Sequence, residues 1–64
     1  MKFHVPDMSC GHCTAAITKE IAVIDSAAQV ATDLDARTVE VTTSQTDGTV
    51  IEAIKSAGYE AAPV

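Results

Sequence analysis

The chemistry available to this chain is concentrated in Met8-Ser9-Cys10-Gly11-His12-Cys13, which holds both of its cysteines. Two thiols at this spacing can act in two ways. As thiolates they are soft donors that suit Cu(I) or a related ion. As a dithiol they can cycle through a disulfide. They cannot close a structural zinc site by themselves, because such a site takes a full tetrahedral set of ligands. Only His12, His4 or carboxylates could complete one. His4 belongs to the outer face of an expected strand, and His12, between the thiols, is at most a weak third ligand. Two strong donors with open access suit an ion that is handed on, not one that is stored.

The surrounding pattern places these thiols at the mouth of a helix. An ordinary thiol, titrating near 8.5, is only roughly 3% thiolate at neutral pH. Orphan amides and the dipole at a helix N-terminus stabilise negative sulfur. A depression to about 6 would raise the thiolate fraction to roughly 90%. That favours metal capture and nucleophilic attack alike, so electrostatics alone leaves both readings open.

The positioning elements follow from periodicity. Lys2 to Val5 alternates, with Phe3 and Val5 on one face, and reads as a half-buried strand ended by Pro6. Cys13, Ile17, Ile21 and Ile24 fall at helical spacing with Ala16 alongside, a helix broken at Asp25-Ser26. Ala28 to Leu34 alternates with Ala28, Val30, Thr32 and Leu34 on one face. Thr38 to Thr43 does the same with Val39 and Val41 inward, and Asp35-Ala36-Arg37 makes the hairpin turn between them. Thr46-Asp47-Gly48 caps a second helix whose inner stripe is Val50, Ile54 and Ala57, flanked by Ile51. Gly58 ends it in the left-handed conformation, and Tyr59 to Val64 is a final strand limited by Pro63. The expected order is β-α-β-β-α-β, the split βαβ arrangement, an α+β sandwich with two helices on one face of a four-stranded antiparallel sheet.

Composition narrows the function. Sixty-four residues are expected to form one domain, 1–64, with a small core and no room for a deep substrate cleft. Nine acidic residues against four basic ones give a net charge of −5, a balance that repels nucleic acid and anionic membranes. No segment is long enough to span a bilayer. The chain opens on a strand pattern without signal-peptide architecture, so the cytoplasm, where thiols are kept reduced, is the expected compartment. Asp33 with Asp35, and Glu52 with Glu60, belong to solvated faces and not to a catalytic cleft.

The motif resembles the MxCxxC signature of heavy-metal-associated domains, and within them the small bacterial CopZ-like copper chaperones. The likeness covers essentially the whole chain, since the order of elements and the length agree with this ferredoxin-like fold. It implies a cytoplasmic, non-enzymatic Cu(I) carrier with Cys10 and Cys13 as the metal ligands. It implies delivery to a P-type copper ATPase, through that pump's N-terminal metal-binding domain, and a copper-responsive regulator as a further partner. Met8 matches a methionine tucked under the metal loop. Tyr59 matches an aromatic residue that shields it. Ser9 stands where zinc and cadmium exporters often carry an acidic residue, which favours copper. Many members have glycine just before the motif methionine; here Pro6-Asp7 stands there, and Asp7 could approach the loop. Exposed thiols would also allow two molecules to share copper.

Three other readings compete. Cys-Gly-His-Cys also occurs in thiol-disulfide oxidoreductases of the thioredoxin type, but the chain has no tryptophan before the first cysteine and no proline placed to face the disulfide. The same domain could be a piece of a metal-transporting ATPase, although Met1 and the finish after the fourth strand suggest a free-standing protein. The same thiols could also carry Hg(II), Zn(II) or Cd(II).

Overall fold

The computed structural model describes every residue from Met1 to Val64. Strand β1 (Lys2–His4) is followed by α1 (Gly11–Ile24), β2 (Gln29–Asp33), β3 (Thr38–Thr42), α2 (Asp47–Ser56) and β4 (Ala62–Pro63). The strands form one antiparallel sheet in the order β2-β3-β1-β4. Two helices on one face of this sheet complete a ferredoxin-like α+β sandwich, as the alternation of apolar residues leads one to expect.

The core lies between helices and sheet. Phe3, Val5, Val39 and Val41 meet Ile17, Ile21, Val50, Ala53 and Ile54, with Met8 and Cys13 closing the end next to the cysteines. Phe3 stands opposite Val39 in register, which fixes the inward face of both central strands. Each fully buried aliphatic side chain contributes about 1.5–3 kcal/mol of burial free energy. The chain has almost no aromatic mass to add to that.

Three details differ from expectation. β4 is only Ala62–Pro63 and not Tyr59 to Val64, because Tyr59 is held by the end of α2 and Pro63 brings no N–H to the ladder. Only the Val64 amide, donating to the Lys2 carbonyl, extends the pairing. Around β2 the alternation is real, but β2 is an edge strand; of the expected inward face Ala28, just before it, and Val30 pack against the core, while Thr32 and Leu34 are exposed. In α2 the buried stripe is Val50, Ala53 and Ile54, with Ala57 half-buried, because the helix presents its i, i+3, i+4 face.

The turns that carry the site are locally determined. The Thr46 hydroxyl caps α2 by accepting from the Thr49 amide. At the other end, Gly58 N–H donates to the Lys55 carbonyl and Tyr59 N–H to the Ile54 carbonyl, a Schellman motif. Gly58 has φ +95°, which a side chain would strain. The Asp33 carboxylate accepts from the amides of Asp35 and Ala36 and so folds the β2–β3 turn.

Candidate metal centre

The loop between β1 and α1 is built from short-range bonds. The Met8 amide donates to the Val5 carbonyl, closing a β-turn with Pro6 at its second position. Met8 then drops its side chain fully into the core. That anchor holds the chain while Ser9 and Cys10 rise to the surface. Cys10 is the N-cap of α1, in extended conformation with φ −154°, and makes no side-chain cap bond. No side chain accepts from the first helical amides; those of Cys13 and Thr14 donate to the Cys10 carbonyl.

The two sulfurs lie 3.3 Å apart, both as free thiols. Cys10 is exposed, whereas Cys13, one turn into the helix, is buried at the edge of the core. The pair is therefore half anchored and half free. Four contacts hold the Cys13 thiol down from 9.0 to about 6: the Tyr59 hydroxyl first, then the Ser9 amide, the Cys10 side chain and the Cys10 amide, against a smaller opposing effect of burial. The same geometry pushes the Tyr59 hydroxyl up, first through its interaction with the Cys13 thiol, then through lost hydration and the negative charge of Cys13, Cys10 and Asp7. At neutral pH Cys13 is then roughly 90% thiolate.

Of the residues singled out from the sequence, Met8, Cys10, Cys13 and Tyr59 come together. Tyr59 is half-buried beside Cys13, placed there by the turn after α2. His12 is exposed, and no cluster of three or more His, Cys, Asp or Glu side chains forms around the sulfurs. His4 sits on the helix-free face of the sheet, opposite Thr38 and Ala62. Asp7 is exposed, and its charge is felt at the Tyr59 hydroxyl. Two contributions to the site carried no sequence signal, the Ser9 backbone amide and the Arg37 side-chain bond. Ser9 acts through its backbone amide, and Arg37 reaches across the fold to donate from Nη1 to the Pro6 carbonyl at 2.6 Å. The surface has one shallow groove of about 190 Å³, on the β2–β3 face and lined by Gln29, Val30, Ala31, Glu40 and Thr42. It is smaller than ordinary organic-ligand pockets and does not include the cysteines.

Residues 2–60 match the heavy-metal-associated domain family, and the chain belongs to it. Among solved structures it is similar to the copper chaperone Atx1 from Synechocystis PCC6803, with 32% identity and a TM-score of 0.94 over 97% of this chain and 98% of that one. A gold binding protein is 38% identical at a TM-score of 0.90, covering 95% of this chain and 94% of its own. A protein from Agrobacterium tumefaciens is likewise 38% identical, at a TM-score of 0.86 over 94% of each chain. No match was found among curated protein sequences. No helix of the structure is long and apolar enough to cross a membrane.

Proposed function

We propose that this protein carries a single soft metal ion, Cu(I) foremost, between the Cys10 and Cys13 thiolates and passes it on by ligand exchange. The observation that supports this most is the sulfur pair itself: 3.3 Å apart, one thiol anchored and ionised, one exposed, and no third donor cluster around them. Similarity to a copper chaperone favours copper, and similarity to a gold binding protein is in keeping with a soft, thiolate-preferring ion.

The geometry also says what must move. Near-linear coordination sets the sulfurs two metal–sulfur bond lengths apart, well beyond their present contact. The pair must open from 3.3 Å, and exposed Cys10 is the side chain free to do so. Any protons still on the sulfurs leave as the metal binds. An incoming thiolate then adds to the exposed metal, and the Cys10 bond breaks before that of anchored Cys13. The recipient is a metal-transporting P-type ATPase or its N-terminal metal-binding domain, with a copper-responsive regulator as a second recipient. A net charge of −5 suits a basic docking patch on either. The working unit is the whole of 1–64, in the reducing cytoplasm where the thiols stay free.

Anaerobic titration with Cu(I) against a competing chelator, followed by mass, tests this reading. One ion per chain is expected, with retention collapsing in both Cys10→Ser and Cys13→Ser and only slightly reduced in His12→Ala. Wild-type retention in the two serine variants would refute it.

A further inference from the structure

Arg37 is the one non-glycine residue with positive φ, at +56°, in the turn between β2 and β3. Left-handed backbone favours glycine or asparagine, so an arginine at this position departs from local preference. A departure of this kind calls for a side-chain role that the smaller residues could not fill. Such a role is visible. The Arg37 guanidinium donates to the Pro6 carbonyl at 2.6 Å, while the Arg37 carbonyl accepts from the Val5 amide at 2.7 Å. Both bonds land on the start of the turn Val5-Pro6-Asp7-Met8, whose closing bond is Met8 N–H to the Val5 carbonyl.

The Pro6 carbonyl belongs to the central peptide of that turn. With proline at the second position, type I and type II turns are both open, and they differ by a flip of this peptide. The flipped form needs positive φ at the third position, where Asp7 stands and where φ is not positive. Beside that preference, the Arg37 bond holds the carbonyl in its present direction.

We infer that Arg37 is a positioning residue that locks the Pro6–Asp7 peptide and thereby slows the opening of the cysteine loop and the release of metal. Its link to metal release rests on the carrier reading above; the clamp itself does not. The chain leaving the turn has only Ser9 before it reaches Cys10. A loop fixed at Pro6 by Arg37 and at Met8 by the core leaves Cys10 little backbone travel. With the guanidinium gone, the turn can open, breaking the Met8 N–H to Val5 bond, and Cys10 can swing away from Cys13 more often.

The test is Arg37→Gly in the full chain, with Arg37→Lys beside it. Glycine accepts the left-handed backbone and keeps the carbonyl that bonds Val5, so the turn survives while the clamp is lost. In the metal-free reduced protein, hydrogen exchange of the Met8 amide should quicken roughly three- to tenfold, the range for the net contribution of one typical hydrogen bond. Amides of β3 and α2 should exchange as in the wild type. Release of Cu(I) to a chelator should quicken by a similar factor, and lysine, which can still donate to Pro6, should restore most of the wild-type rates. Unchanged Met8 exchange in Arg37→Gly overturns the clamp, and so does acceleration spread evenly over the sheet. If Met8 exchange changes while the wild type holds no Cu(I), the carrier reading fails and the clamp stands.

Discussion

Replacing Tyr59 with phenylalanine keeps the ring and removes only the hydroxyl that stabilises the Cys13 thiolate, and the structure sets a lower bound on the effect. Four contacts lower the Cys13 thiol against the opposing effect of burial, with a net fall from 9.0 to about 6, about a thousandfold in acidity. Tyr59 supplies the largest of the four. Its share is thus at least a quarter of that fall on a logarithmic scale, about sixfold. The Cys13 midpoint in Tyr59→Phe should rise from about 6 to near or above neutrality. The thiolate fraction at pH 7 should drop from roughly 90% to about two-thirds or less. The assay is an anaerobic pH titration of the reduced, metal-free protein, reading thiolate ultraviolet absorbance and the chemical shift of the Cys13 Cβ. The two sulfurs are in contact, so the first proton lost by the pair is the one to follow. A midpoint as low in Tyr59→Phe as in the wild type would refute the reasoning, because the largest stabilising contact would have proved dispensable.

The folded Cys13 midpoint lies below that of a free thiol, so this group's contribution to stability is fully present above pH 9 and lost as pH falls toward about 6. Denaturant midpoints of the reduced protein should accordingly rise across that window, and Cys13→Ser should flatten the rise. Asp25 behaves in the same sense at lower pH: the Thr43 hydroxyl first, then the Ala27 amide, hold its carboxyl below 3.8. Its contribution is present above 3.8 and lost as pH falls through the folded value, so Thr43→Val should shift acid unfolding to higher pH, measured by circular dichroism. Gly58→Ala meets no neighbouring atom but must adopt φ +95°, for a cost of about 1–2 kcal/mol in denaturant melts. Because Gly58 aims Tyr59, the same variant should also raise the Cys13 midpoint; a destabilised protein with an unshifted midpoint would separate the two. Met8→Ala empties a fully buried site and should cost about 2–5 kcal/mol, a large share of what so short a chain holds.

The amino-acid order alone determined the succession of elements, the inward stripes of α1 and β3, the cap at Thr46, the glycine stop at Gly58 and the placing of Cys10 and Cys13 at a helix mouth. Each of these is a local matter: periodicity, capping and turn chemistry act within a few residues, so they can be read from neighbours in the chain. Strand ends were less legible. Whether Leu34 is covered, or how much of Tyr59 to Val64 pairs, depends on which strand lies at the sheet edge, and that is decided by partners far away in sequence. The ionisation of Cys13 was expected from the helix end, but its first cause is Tyr59, distant along the chain and delivered by the turn after α2. The turn holding Arg37 was legible, but its bond to the Pro6 carbonyl was not, because a single side chain reaching across the fold has neither period nor motif. Sequence thus decided that the two thiols stand together at the helix mouth. Tertiary packing decided how ionised and how mobile they are, since hydration, hydrogen-bond donors and restraint at one sulfur are set by whatever the fold brings within a few ångströms of it.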